Sequence, residues 1–188
     1  MSKYVDKMRT VLVAFNKKAA GIGYDIADSR ERLTQEYAAE EISKLHLQMN
    51  LAATYCRDQI DAIHKEAQTA ARKWAALDGK EVNTADLSLL KGDFEISVVD
   101  LNALVLKYWN NGTMINAIEK YAKKHHAAVY VPNLDDKLQA YKIMAQSAHK
   151  LIDSIAENGG MDEDYFANWG KSGNVSDRLE RALYGLFE

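Results

Sequence analysis

The pattern of apolar and polar positions along the chain predicts helices from its first residues onward. Within residues 2–20 the apolar side chains recur at intervals of three and four, at Val5, Met8, Leu12 and Phe15. Gly21-Ile22-Gly23 comes next, and two glycines in three residues favour a helix end followed by a turn. We therefore expect the first helix to end near residue 20.

The longest uninterrupted pattern extends from Asp28 to Leu77 without glycine or proline. It predicts a single helix of about fifty residues, or roughly 75 Å. Its apolar seam advances in steps of three and four: Ile42, Leu45, Met49, Ala52, Cys56, Ile60, Ile63, Ala67, Ala70, Trp74 and Leu77. This spacing is typical of a coiled coil, and the added step of four after Cys56 is a stutter.

Residues 83–125 predict a compact cluster of short helices joined by short turns. Asn83 can cap the first of them, and Thr113 can cap the last. Ser97 and Asp100 have the spacing of a capping box at the start of the middle helix, with Asp in place of Glu.

Pro132 separates this cluster from another long helix. Asn133 and Asp136 form a second capping box, and the helix that they open should end near Glu157. A short final helix is predicted for residues 176–187.

The fold class that we predict is all-α: one very long coiled-coil-like helix packed with a compact cluster of shorter helices. The chain divides into residues 1–78, 79–132 and 133–188, which we expect to form one structural unit. Composition strengthens the prediction, because 188 residues contain 1 Pro. Average usage would give roughly nine, and proline interrupts helices.

Charge excludes some partners. The chain has 24 Lys and Arg against 27 Asp and Glu, a net charge of −3. A dedicated duplex binder needs a clustered excess of cations, so we do not expect direct nucleic-acid binding. We also expect no signal peptide and no membrane span, because no apolar run has the required length.

No motif of a known active site is present. Asp61-x-x-His64 is the nearest approach to a di-iron motif, but it lacks glutamate and a second pair, and an exposed polar face is the alternative. His125 and His126 are adjacent and therefore point in different directions. Cys56 lies within the seam and is a poor nucleophile candidate. We expect no catalytic residue, no cofactor and no bound metal.

The segment 161–173 is acidic, aromatic and irregular, which is typical of an interaction surface. Its candidate partner-binding residues are Asp162, Glu163, Asp164, Tyr165, Phe166 and Trp169. The alternative, which we favour, is that the segment packs its aromatic side chains on the core of its own chain.

The seam of the long helix is longer than the later helix could cover, so we expect self-association, most simply a homodimer. The candidate residues of this oligomer seam are Ile42, Leu45, Met49, Ile60, Ile63 and Trp74.

One stretch resembles a module in small helical proteins from phages and prophages of Gram-positive bacteria. The residues that carry the resemblance are Asp100-Leu101, Tyr108-Trp109-Asn110-Asn111-Gly112-Thr113-Met114, Ile118 and Tyr121-Ala122. The resemblance covers residues 30–125 approximately. Those proteins also tend to have a long charged helix before the module and are often encoded among virion-assembly genes.

The resemblance and the missing motifs lead to one expected function and two alternatives. We expect a non-enzymatic phage protein that acts through protein–protein contacts, such as a head-assembly or capsid-associated factor. One alternative is a small inhibitor of a host defence complex, similar to anti-CRISPR proteins, which binds a protein or masks its nucleic-acid channel. An enzyme with a dispersed site is the third. We expect the protein in the cytoplasm of a bacterial host or in the virion.

Overall fold

A computed structural model describes residues 3–76, 82–92 and 94–169 of the chain. These residues contain helices and no strand, which confirms the all-α prediction. The helices are α1 (Lys3–Arg32), α2 (Gln35–Ala75), α3 (Thr84–Lys91), α4 (Val98–Lys107), α5 (Gly112–Lys124), α6 (Leu134–Asn158) and α7 (Glu163–Asn168). The helix predicted for residues 176–187 lies outside the described residues.

The prediction that Gly21-Ile22-Gly23 ends the first helix is wrong, because α1 continues to Arg32. The second glycine serves a close packing contact instead. A Cβ atom added to Gly23 would lie 2.8 Å from the carbonyl oxygen of Gly159, whereas one added to Gly21 would meet nothing within 4 Å. Glycine at residue 23 thus lets the turn after α6 approach the α1 backbone.

The prediction of one helix from Asp28 to Leu77 is also wrong in its first part. The chain leaves the helical path at Leu33 and Thr34, and α2 begins at Gln35. The Leu33 N–H still donates to the carbonyl of Ser29, at 3.2 Å, and the Thr34 carbonyl accepts from Ala38 N–H, at 2.8 Å. Two long helices of 30 and 41 residues therefore replace the single one.

The chain forms two compact units. The first unit comprises Met1–Glu66 and Lys142–Asn174, and the second comprises Ala67–Tyr141 and Val175–Glu188. The boundary after Glu66 falls inside α2, and the boundary after Tyr141 falls inside α6.

In the first unit, α1 and the first part of α2 run antiparallel. Lys7 near the start of α1 forms an ion pair with Glu66, at 2.7 Å. The part of α6 that belongs to this unit is antiparallel to α2. Arg57 pairs with Asp153 at 2.5 Å, and Asp61, further along α2, pairs with His149, earlier in α6, at 2.9 Å. The side chains that α1 buries are Tyr4, Val5, Met8, Leu12, Phe15, Asn16, Ala19, Ile22 and Ser29.

In the second unit, α3 and α4 both contact α5. Their core contains Leu90, Leu101, Val105, Tyr108, Met114, Ile115, Ile118, Tyr121, Ala122 and Val131. The cap residues of both predicted capping boxes are confirmed: Asp100 N–H donates to Ser97 Oγ at 3.1 Å, and Asp136 N–H donates to Asn133 Oδ1 at 2.8 Å. The cap of α5 is Asn111 and not the predicted Thr113.

Candidate functional site

Four large apolar side chains are exposed on one side of α2 in the first unit. They are Tyr37, Leu47, Leu51 and Tyr55, with 68%, 61%, 63% and 66% of their surface accessible. Leu47, Leu51 and Tyr55 follow one another at intervals of four, so each is rotated by about 40° from the previous one. Tyr37 precedes Tyr55 by about five helical turns and therefore has the same angular position. We call these four residues the outward stripe.

The outward stripe is separate from the buried side of α2. Met49 is 4% exposed, and its position lies about 160° around the helix axis from that of Leu51. The burial of Cys56, which raises the pKa of its thiol to about 12, belongs to the same buried side. The helix is thus apolar on two sides, and among the residues that the structure describes only one of these sides is covered.

Charged residues lie before and after the part of the outward stripe from Leu47 to Tyr55, and those before it separate it from Tyr37. Lys44 pairs with Glu40 at 2.9 Å and with Glu41 at 3.6 Å. The hydrogen bond between Lys44 and Glu40 lowers the pKa of Glu40 and raises the pKa of Lys44. Asp58 and Lys65 are exposed further along the helix. An apolar centre with a charged rim is the usual anatomy of a protein–protein interface.

The residues proposed for an oligomer seam lie on the covered side of the helix. Leu45, Met49 and Ile60 are buried. Ile42, Ile63 and Trp74 are half-buried. The expectation that this seam needs a second copy to cover it is therefore wrong, because its own chain buries three of these residues and half-buries the other three. A homodimer stays a prediction, and the outward stripe is the apolar surface of α2 that is available for it.

The acidic aromatic segment is divided between surface and interior. Phe166 and Trp169 are buried, and the Trp169 Nε1–H donates to Ser147 Oγ at 3.3 Å. Asp162 and Asp164 are exposed, and Tyr165 is 49% exposed. Phe166 and Trp169 therefore belong to the core of the first unit and not to the candidate surface, as the alternative interpretation of this segment expects.

Several contacts hold this segment in place. Asp162 caps α7 by accepting from Asp164 N–H at 3.0 Å. The buried Asn16 side chain exchanges two hydrogen bonds with the backbone of Met161, at 2.9 and 2.7 Å. Helix α7 also contacts α1. Glu163 begins α7, and Gly170–Gly173 lie outside the described residues.

The motif Asp61-x-x-His64 joins a small polar cluster between α2 and α6. Asp61 Oδ1 lies 2.9 Å from His149 Nε2, and burial lowers the pKa of the neighbouring His64. In the described ranges, no group of three or more His, Cys, Asp or Glu side chains could hold a metal ion. The contact instead connects two helices of the first unit.

The second unit contains a buried lysine that the sequence pattern does not indicate. Lys137 is 0% exposed, and its Nζ atom lies 3.2 Å from the centre of the Trp74 ring. The amine has no hydrogen-bond partner among the residues that the structure describes. Burial lowers the pKa of Lys137 to about 7. A lysine on a helix normally indicates an exposed position, so no signal in the pattern pointed to this contact.

The outward stripe was missed for a different reason. Leu47, Leu51 and Tyr55 form a regular apolar series, but the longer seam on the other side of α2 provides a stronger signal. Two apolar stripes on one helix indicate two contacts, and the second was visible in the spacing.

Within the described residues, none of the helices is both long and apolar enough to cross a membrane. Comparisons of the chain with protein-family models, with curated proteins and with solved structures found no match.

Proposed function

We propose that this chain is a non-enzymatic, phage-encoded helical protein that acts through protein–protein contacts, such as a head-assembly or capsid-associated factor. The observation that carries the proposal is the outward stripe of α2. Exposed apolar patches with a polar rim are typical of interaction sites. The resemblance of residues 30–125 to phage helical proteins supplies the phage context.

The geometry of the stripe suits a helix-mediated contact. Leu47, Leu51 and Tyr55 repeat at intervals of one turn, the arrangement by which a helix presents anchors to an apolar groove or a second helix. Full burial of one leucine side chain contributes about 1.5–3 kcal/mol. Tyrosine is also enriched among the residues that dominate binding energies.

The test compares two exposed leucines. A tagged chain is recovered from infected cells, and the amounts of co-purified capsid and portal protein are measured for Leu51→Lys and Leu106→Lys. Leu106 is 75% exposed on α4 in the second unit, so it is a matched control for the substitution itself. We expect Leu51→Lys to lower the recovery at least about tenfold, because burial of one leucine corresponds to that factor or more.

Leu106→Lys should leave the recovery of both proteins unchanged. Recovery of capsid and portal protein at wild-type amounts with Leu51→Lys would overturn the role of the outward stripe. Absence of the chain from both proheads and virions would overturn the role in assembly.

A second candidate function rests on the exposed acidic residues Asp162 and Asp164 beside Tyr165. Such a surface could cover the basic nucleic-acid channel of a host defence complex, as an inhibitor of that complex would. Replacement of Asp162, Glu163 and Asp164 by lysine should abolish inhibition in a plasmid-interference assay.

Because Asp162 also caps α7, Asp162→Asn is the control that keeps a capping side chain while it removes one charge. Inhibition that survives the three lysine substitutions would exclude this surface.

A further inference from the structure

We propose that the partner of the outward stripe is a second copy of this chain, with the two α2 helices antiparallel and related by a two-fold axis at Leu51. The inference rests on the proposed function, because it makes the dimer that the outward stripe joins the form of the chain that binds capsid or portal protein. The argument comes from the symmetry of exposed residues around Leu51 and from their charges.

The apolar residues are placed symmetrically. Leu47 and Tyr55 each lie about one turn from Leu51, on opposite sides. A two-fold axis at Leu51 therefore places Leu51 against its own copy and Leu47 at the height of the other copy's Tyr55. An interface of this kind is isologous, which is the commonest form of association between identical chains.

The charged residues on this side of α2 continue the symmetry with opposite signs. Lys44 and Asp58 each lie about two turns from Leu51, and both are exposed. The two-fold axis brings Lys44 of each copy opposite Asp58 of the other. The antiparallel arrangement therefore forms two equivalent ion pairs beside the apolar centre.

The outermost positions are also complementary. Tyr37 and Lys65 each lie about four turns from Leu51, so the axis places the lysine of one copy at the height of the other copy's tyrosine. Glu36 and Glu40 flank that tyrosine on an exposed surface. The Lys65 amine of one copy thereby meets the Tyr37 ring of the other copy, with a glutamate carboxylate on each side of it. The ring face and the carboxylates all attract a cation.

The same charges oppose a parallel pair. A parallel, in-register pair places Lys44 beside Lys44, Asp58 beside Asp58 and Lys65 beside Lys65. Like charges at facing positions of paired helices are destabilising, and charge pairing of this kind sets partner orientation. The distribution of charge thus selects the antiparallel orientation.

The first experiment locates the axis by oxidative cross-linking of the full chain. Leu51→Cys places a thiol opposite its own copy and should give a disulfide-linked dimer in high yield. Leu47→Cys should give little dimer alone and much more when combined with Tyr55→Cys. The natural Cys56 does not interfere, because it is buried and its thiol pKa is raised to about 12.

The second experiment exchanges the charges and measures dimer dissociation by light scattering over a concentration series. Lys44→Asp alone and Asp58→Lys alone should each weaken the dimer about tenfold, because each changes two equivalent pairs in the interface. The double variant should restore the wild-type affinity. The two positions lie about 21 Å apart along one helix, so they can compensate only through a second copy.

The outcomes separate this inference from the proposed function. A monomer at every concentration, with no cross-link at Leu51→Cys, overturns the homodimer, even where Leu51→Lys still loses capsid or portal protein. Equal cross-linking of Leu47→Cys and Leu51→Cys overturns the antiparallel orientation. In a third outcome, the dimer depends on Leu51 but Leu51→Lys still recovers capsid and portal protein at wild-type amounts. This result supports the homodimer and overturns the proposed function.

Discussion

The Nζ atom of Lys137 lies 3.2 Å above the indole ring of Trp74, in the interior of the second unit. The ring is held at its edge as well, because Trp74 Nε1–H donates to the carbonyl of Trp109 at 3.0 Å. Contact with the ring face favours the protonated amine, whereas burial disfavours it. The free energy of this contact therefore depends on pH.

Lys137→Met should stabilise the protein at neutral pH. Methionine has a similar length and needs no hydrogen-bond partner in the interior. Replacement of a buried charged group by an apolar one of similar volume stabilises by about 1–4 kcal/mol. Urea unfolding at pH 7 measures the change, and Lys142→Met, at an exposed position of α6, is the matched control that should leave stability unchanged.

Stability of the wild-type chain should rise with pH above neutrality. The pKa of Lys137 is about 7 in the folded state, against an ordinary value of 10.5. Between these values the unfolded chain binds a proton that the folded chain does not. The free energy of unfolding then increases by up to about 1.4 kcal/mol per pH unit.

Urea unfolding from about pH 7.5 to 9.5 should show this slope for the wild type and for Lys142→Met, and a smaller slope for Lys137→Met. Equal slopes for all three proteins would mean that the Lys137 amine keeps its ordinary pKa in the folded state.

Two neighbouring glycines of α1 should respond to alanine in opposite directions. Gly21→Ala places its methyl group in open space and should stabilise by about 0.5–1 kcal/mol, because alanine favours the helix. Gly23→Ala places its methyl group 2.8 Å from the Gly159 carbonyl oxygen and should destabilise by about 1–3 kcal/mol. Urea unfolding of the two variants measures both changes. Stabilisation by both would contradict the close approach of these backbones.

Tyr121 holds the segment before α4 in place through its hydroxyl group. The hydroxyl donates to the Phe94 carbonyl at 2.6 Å and accepts from Ile96 N–H at 2.8 Å. Tyr121→Phe should destabilise the chain by about 1–3 kcal/mol, because it leaves partly buried backbone groups without a partner. Hydrogen exchange should accelerate at Ile96. Tyr24→Phe, at a position that is 69% exposed, should change neither quantity.

The helix caps are predictable from the sequence, because each depends only on residues that are close in the sequence. Ser97 and Asn133 could be assigned as caps, since each bonds to a residue three positions later. The sequence pattern wrongly predicts a helix end at Gly23, because the glycine there serves a contact with Gly159, far away in the sequence. Burial of Lys137 is likewise a tertiary effect that outweighs the usual exposure of lysine.

The candidate interaction surface was only partly predictable for the same reason. The spacing of Leu47, Leu51 and Tyr55 is local and could have been recognised, but which side of α2 its own chain covers depends on α1 and α6. The break at Leu33 and Thr34 contains neither glycine nor proline, so the usual signals of a helix end were missing.

Adjacent aromatic residues of α7 provide the test of whether the acidic segment packs on its own core. Phe166 is 3% exposed and Tyr165 is 49% exposed. Phe166→Ala should destabilise the chain by about 3–5 kcal/mol, because it removes a buried aromatic side chain and leaves a cavity. Tyr165→Ala should cost less than about 1 kcal/mol, as is usual for a surface substitution. Thermal and urea unfolding measure both, and equal small effects would mean that the segment is not part of the core.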